Sequence, residues 1–220
     1  AAQGPILKKT QLAFRPCNMT GIIDNIVEKF PTSSCGTDWR LTRGKTRGEF
    51  FRSMLAASPC NLLRVKAPLA NSNDDDSVHL SLDLSNELPP GTGTVDASNF
   101  AGLEVDVFCP KAASYPLLLK TPDCNTSVSY YRAFFETVAL KFARVRIPWS
   151  EFVGIGPGAD GTPLDVTQLR RVSLELGRGK DAEEVAVAGI KFLLPISAEG
   201  QSESQANTWK FLKSKQLVGK

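Results

Sequence analysis

Histidine is nearly absent from this chain: His79 is the only one in 220 residues. It stands on the polar side of an alternating run, so a Ser–His–Asp type triad or a histidine-rich metal centre is not available. Cysteine is sparse as well. Cys17, Cys35, Cys60, Cys109 and Cys124 are odd in number and widely spaced, and no CxxC occurs. That pattern argues against a zinc site and against a disulfide framework, and it suits a reducing compartment. The sequons Asn18-Met19-Thr20 and Asn125-Thr126-Ser127 carry no weight in such a compartment. No stretch approaches the ~18 consecutive apolar residues of a membrane span. A strong excess of one charge is also missing: the net charge of +3 is too small to argue for nucleic acid.

Other catalytic and cofactor patterns fail on spacing. Asp74-Asp75-Asp76 could offer oxygen ligands to calcium, but the run lacks EF-hand spacing and reads as a solvated loop. Gly154, Gly156 and Gly158 suggest a phosphate cradle, yet Gly161-Thr162-Pro163 follows with no helix start, so a surface loop is expected. No carboxylate pair can be placed across a cleft for glycoside hydrolysis. The expectation is a chain that is not an enzyme and needs no cofactor or metal.

What is present is a two-residue period. Val78, Leu80, Leu82 and Leu84 alternate with His79, Ser81 and Asp83. Leu103, Val105 and Val107 alternate with Glu104 and Asp106, and Ala143, Val145 and Ile147 alternate with Arg144 and Arg146. Val172, Leu174 and Leu176 form a fourth run, and Val185 and Val187 open a fifth that ends at Phe192. Each run gives one apolar and one polar face, as a half-buried strand requires. Turn clusters separate them, at 71–76, 89–93 and 154–161. Many short strands between Gly/Pro-rich turns predict an all-β sandwich or jelly roll. One short N-terminal helix is expected over Ile22, Ile23, Ile26, Val27 and Phe30, capped by Asn18 or Thr20 and stopped by Pro31.

The ends differ from the body. Residues 1–60 hold nine Lys/Arg against four Asp/Glu, and residues 197–220 hold four against two. Residues between them hold thirteen against seventeen. Basic ends on a mildly acidic body suit docking on acidic protein surfaces or lipid headgroups, and plain solvation of the ends is the alternative. The sequence divides into an N-terminal arm with a short helix (1–38), a sandwich domain (39–196) and a tail (197–220). The tail is Ser/Gln/Glu-rich to Asn207, a composition expected not to pack on its own and to order on a partner. It then offers an anchor of Trp209, Lys210, Phe211, Leu212 and Lys213. Further candidate partner contacts are Arg43, Lys45 and Arg47 in a basic segment, and the pair Tyr130 and Tyr131. Alternate members of the cluster Tyr130, Tyr131, Phe134, Phe135 could equally face the core.

Tyr130-Tyr131-Arg132-Ala133-Phe134-Phe135-Glu136-Thr137, followed by Val145-Arg146-Ile147-Pro148-Trp149-Ser150-Glu151-Phe152, resembles the complex I intermediate-associated protein family of the thirty-kilodalton type. That family shows an aromatic pair, then Phe-Glu-Thr, then a strand ending in Ile-Pro-Phe-Ser-x-Phe; Trp149 replaces the Phe here. Phe100-Ala101-Gly102-Leu103 is similar to its aromatic-x-Gly-Leu strand entry, and Tyr115-Pro116-Leu117 to its Tyr-x-Leu strand. Leu164-Asp165 with Leu169-Arg170-Arg171-Val172-Ser173-Leu174, and Gly189-Ile190-Lys191, also fit. Arg43-Gly44-Lys45-Thr46-Arg47-Gly48 departs from the family's Gly-Gly-x-Ser-type segment.

The resemblance spans about 39–194 and implies a galactose-binding-like jelly roll related to carbohydrate-binding modules, with no catalytic residue. With the charge of the arms, which lie outside the likeness, it leads to an expectation of partners that are protein subunits of a large organellar assembly, met through the basic arms and one sheet face. No nucleic acid and no transmembrane segment are expected, and a membrane-peripheral place stays open. A photosynthetic antenna or photosystem linker, such as a phycobilisome accessory protein, is the first functional expectation. An assembly factor for mitochondrial complex I is the second and a carbohydrate-binding module the third. The expected location is an organelle, plastid ahead of mitochondrial matrix. Ala1-Ala2-Gln3 at the start is what removal of a targeting segment, or of a disordered end, would leave.

Overall fold

A computed structural model describes residues 21–24, 32–43, 46–47, 49–54, 61–66, 77–86, 89, 91–109, 111–178 and 185–195. Two antiparallel sheets face each other. The first contains β1 (Ile22–Asp24), β4 (Glu49–Met54), β5 (Asn61–Lys66), β7 (Gly102–Cys109), β10 (Lys141–Pro148) and β13 (Ala186–Leu193). Its order is β10-β7-β13-β5-β4, with β1 also on β13. The second contains β2 (Arg40–Arg43), β3 (Thr46–Arg47), β6 (Ser77–Asp83), β8 (Ser114–Lys120), β9 (Tyr130–Glu136), β11 (Val153–Ile155) and β12 (Arg171–Arg178). Its order is β11-β9-β8-β12-β6-β2-β3.

The alternating runs become β6, β7, β10, β12 and β13, and their apolar members meet between the sheets. Leu80, Leu82, Leu103, Val107, Leu117, Leu119, Val172 and Phe192 are all buried in one core. Burying each such side chain contributes about 1.5–3 kcal/mol, which favours the register that sends the whole row inward. A void bounded by Trp39, Leu80, Val105, Leu117 and Val187 holds only ≈ 10 Å³. That is at the lower limit for one water, so this part of the core has no room for a ligand.

The N-terminal helix expectation needs correction. Ile22–Asp24 is a strand, paired Ile22 with Lys191 and Asp24 with Ile190. Residues 25–31 lie outside the described set, and no described element is a helix beyond the short 3₁₀ turns Trp149–Glu151 and Val166–Gln168. The cause is tertiary. β5 pairs only Ala186 and Val187 of β13, which leaves the far half of that edge with unmet backbone groups. β1 meets them, and the Phe192 amide donates to the Gly21 carbonyl at 2.8 Å. Ile23 enters the core, and Trp39 Nε1 donates to Asp24 Oδ2 at 2.5 Å in a buried link. The sandwich therefore reaches N-terminal of residue 39.

Two separated motifs of the sequence prove to be one contact. Gly102 opens β7 directly opposite Pro148, the last residue of β10. A Cβ on Gly102 would lie 2.1 Å from the Ile147 carbonyl oxygen and 2.7 Å from Pro148 Cα, so only glycine permits this approach. The Trp149 amide donates to the Ala101 carbonyl at 3.1 Å, and its indole Nε1 to the Phe100 carbonyl at 2.7 Å. Phe100 stacks on Phe192 with ring centroids 4.9 Å apart, closing this end of the core.

The outward side of the first sheet is charged. Glu104 accepts from Arg146 at 2.8 Å and pairs with Lys191 at 2.8 Å and Arg144 at 3.2 Å. Arg144 also makes a two-pronged pair with Asp106, at 2.8 and 3.1 Å. These residues sit side by side because β10, β7 and β13 align Arg144 with Asp106, Arg146 with Glu104, and Lys191 with Glu104.

Candidate functional site

The side of the second sheet that faces away from the core carries the most distinctive side chains. On β9 the period of two sends Tyr131, Ala133 and Phe135 inward and Tyr130, Arg132 and Phe134 outward. Phe134 is 51% exposed, and the Arg132 guanidinium lies over its ring at 4.8 Å from the centroid. Strand register then builds a patch around them. Arg132 stands between Leu118 of β8 and Val153 of β11, and Phe134 stands opposite Pro116. Leu118 is buried although it lies outside the core cluster, whereas Val153 is exposed.

Across the sheet the same row continues as Leu118, Ser173, Ser81 and Arg40. Ser173 Oγ donates to Ser81 Oγ at 2.9 Å. The neighbouring row places Arg171 between Lys120 and Asp83. The buried Asp83 carboxylate is held by Arg171 at 2.6 Å and Arg40 at 3.0 Å. Lys120 Nζ donates to the Thr126 carbonyl at 2.7 Å. Burial pushes the Lys120 ammonium below its usual range, and the nearby Arg171 and Arg170 add to this against an opposing contribution from Cys124. The centre of this face is thus a polar and ionic network, and its β9 edge is an aromatic, apolar and guanidinium patch. Such a surface can bind. Among the described residues no three His, Cys, Asp or Glu side chains are placed to hold a metal.

The sequence-predicted contacts fall in different places. Tyr131 is corrected from partner surface to core: it is buried, and its hydroxyl lies 2.9 Å from Thr162 Oγ1 and 3.2 Å from the Pro163 carbonyl. Tyr130 points outward and is half-buried. Arg43 and Arg47 belong to the β2–β3 hairpin, which pairs Arg43 with Thr46 and Thr42 with Arg47. That hairpin is at the opposite edge of the sheet from β9 and β11, so the fold does not bring the basic segment to the tyrosine. Lys45, Trp209, Lys210, Phe211, Leu212 and Lys213 lie outside the described residues. Arg132, Leu118, Pro116 and Val153 were missed as site residues. The aromatic cluster flagged β9, but only the pairing with β8 and β11 shows which residues stand beside it.

Of the remaining sequence features, Asp74-Asp75-Asp76 lies outside the described residues. His79 lies on β6 opposite Glu175 and Thr42. Gly156 has φ +79° and packs its Cα side on the Val128 carbonyl, where a Cβ would come within 2.5 Å. Cys109 and Cys124 are buried and Cys35 is half-buried, and Cys17 and Cys60 lie outside the described set.

Among solved structures the chain is similar to a family 11 carbohydrate-binding module from Clostridium thermocellum in complex with a β-1,3-1,4-mixed-linked tetrasaccharide. The TM-score is 0.56 at 14% identity, covering 80% of this chain and 96% of that one. The family 11 module of cellulosomal cellulase Lic26A-Cel5E from Clostridium thermocellum gives 0.54 at 13% identity, covering 79% and 94%. The family 30 module of cellulosomal cellulase Cel9D-Cel44B from Clostridium thermocellum gives 0.52 at 13%, covering 72% and 92%. At these identities the likeness concerns fold alone: a jelly-roll β-sandwich. No curated protein matches the chain. The family model of Complex I intermediate-associated protein 30 matches residues 81–188, a stretch that holds the Tyr130 and Val145 motifs and Gly102. Over residues 81–188, therefore, the chain matches the model of the Complex I intermediate-associated protein 30 (CIA30) family, on a jelly roll of the kind seen in carbohydrate-binding modules.

Proposed function

We propose that the chain is a non-catalytic, protein-binding module that serves a large organellar assembly of the complex I type, and that the β9 edge of the second sheet meets its partner. The family matched over residues 81–188 speaks for association with complex I intermediates. No match speaks for the photosynthetic antenna linker expected first from the sequence, so the respiratory reading takes precedence and the mitochondrial matrix becomes the favoured location. The observation that carries the choice of a protein partner is Arg132 lying over the Phe134 ring. A sugar ring stacks on an open aromatic face, and here a guanidinium occupies it. The described tryptophans offer no substitute: Trp39 is buried, and Trp149 packs against the core with its indole N–H committed to Phe100. An aromatic and an arginine bordered by Val153 and Pro116 instead resemble the anchors that dominate protein interfaces.

The test is affinity capture from organelle extract with the full chain and its Phe134→Ser/Val153→Ser variant. Both substitutions are at exposed positions, so the thermal midpoint should hold while capture of complex I intermediates falls at least about tenfold. Equal capture by the variant would remove the β9 edge from the proposal. Titration with a mixed-linkage β-glucan is the control: saturable binding that Phe134→Ser weakens would favour the carbohydrate-binding reading.

A further inference from the structure

We propose that the end of the sandwich formed by residues 111–113 and 137–140 is a docking tip for an anionic lipid surface. Two loops are tied together there. The Thr137 amide donates to the Ala113 carbonyl at 2.9 Å, the Ala113 amide to Thr137 Oγ1 at 3.2 Å, and the Leu140 amide to the Cys109 carbonyl at 2.9 Å. The tip so held is apolar and open to solvent: Val138 is 54% and Leu140 71% exposed. Leu140 has φ +57°, the one positive φ among the described non-glycine residues. A leucine in the left-handed region is strained, and such strain persists where the surroundings enforce it. Here the enforced conformation holds an apolar side chain in water.

The apolar surface continues from the tip onto the first sheet. Phe142 is exposed, and its ring lies 5.6 Å from that of Phe108 on the outward side. Cations surround it. Lys111 and Lys141 are exposed beside the tip, and Arg144, Arg146 and Lys191 follow on the same outward side. The carboxylates facing them are Glu104 and Asp106, with Glu136 exposed on the neighbouring strand, so among the described residues cations outnumber carboxylates. An apolar wedge flanked by Lys111 and Lys141 complements a bilayer: the wedge enters the headgroup boundary without needing a matching pocket, and the cations meet anionic headgroups. With so few apolar side chains, attachment is weak and reversible, below that of a single fatty-acyl anchor.

Vesicle sedimentation tests this with the full chain, using phosphatidylcholine vesicles with and without phosphatidylglycerol. The expected result is binding that needs the anionic lipid and falls about tenfold or more in Val138→Ser/Leu140→Gly, since each removes an apolar group worth about that factor. Glycine relieves the strained φ, so the variant folds, and an unchanged thermal midpoint verifies it. A second reading comes from Leu140→Trp, whose fluorescence should shift to the blue on anionic vesicles. Absence of vesicle binding overturns the proposal. So does binding that the double substitution leaves intact, or binding indifferent to phosphatidylglycerol. Loss of protein capture in the double variant without any vesicle binding overturns it in favour of a protein partner. Capture through Phe134 and Val153 is measured separately, so either idea can fail alone.

Discussion

Replacing Glu104 by glutamine removes one negative charge and almost no volume, and the structure gives the size of the effect. The Glu104 side chain is 3% exposed, while its partners Arg144, Arg146 and Lys191 are 59%, 56% and 41% exposed. Exposed ion pairs contribute about 0.2–1 kcal/mol each, and breaking a fully buried pair costs about 3–5 kcal/mol. Three pairs that share one buried carboxylate but half-solvated cations fall between, so Glu104→Gln should cost about 2 kcal/mol at neutral pH. For a domain of this size that is a fall of about 4–8 °C in thermal midpoint. The pH dependence sharpens the test. Burial raises the Glu104 pKa, but the hydrogen bonds from Lys191 and Arg146 and the charges of Lys191 and Arg144 outweigh it and hold the carboxyl below its ordinary range. A carboxylate lowered in this way stabilises the fold above the unfolded value of about 4.3, and the contribution is lost as pH falls through the lower folded value. Urea unfolding of both proteins from pH 7 downward should therefore show a gap that is constant above about pH 5 and narrows below it. A gap under about 0.5 kcal/mol at pH 7, or one indifferent to acid, would refute the account of this network.

Two further predictions address the core. Gly102→Ala should cost at least about 3 kcal/mol, because its Cβ meets backbone of β10 that cannot move without breaking the Gly102–Pro148 pairing; a chemical-denaturation midpoint within error of wild type would contradict it. Trp39→Phe removes one of the donors to the buried Asp24 carboxylate and should cost about 1–3 kcal/mol while exposing the β1 amides to faster hydrogen exchange. Slow exchange retained at Ile22 and Asp24 would show that β1 is held by its pairing with β13 alone.

The strands were legible where side chains alternate. Val172, Leu174 and Leu176 face the core because a period of two cannot put them anywhere else once one face is buried. β8 was less legible, since Tyr115-Pro116-Leu117-Leu118-Leu119 shows no clean alternation and its outward Leu118 looks like core. The N-terminal segment misled for the opposite reason: Ile22 and Ile23 fit a helical spacing, but the open edge of β13 recruited them as a strand. The candidate site follows the same division. The aromatic cluster announced β9, and the period of two separates Tyr131 from Phe134, while the register with β8 and β11 decided which residues stand beside them.

By itself, then, the sequence determined an all-β sandwich, the family likeness of its central stretch, and the exclusion of any centre that needs two histidines. These depend on local periodicity and on residue types, which need no third dimension. Tertiary structure decided which polar side chains meet: Arg132 over Phe134, Glu104 among three cations, Gly102 against Pro148, and an exposed Leu140 at the tip. Each depends on strand order and register between segments far apart in the chain. A two-residue repeat fixes which face a side chain occupies and carries no information about its neighbour across the sheet.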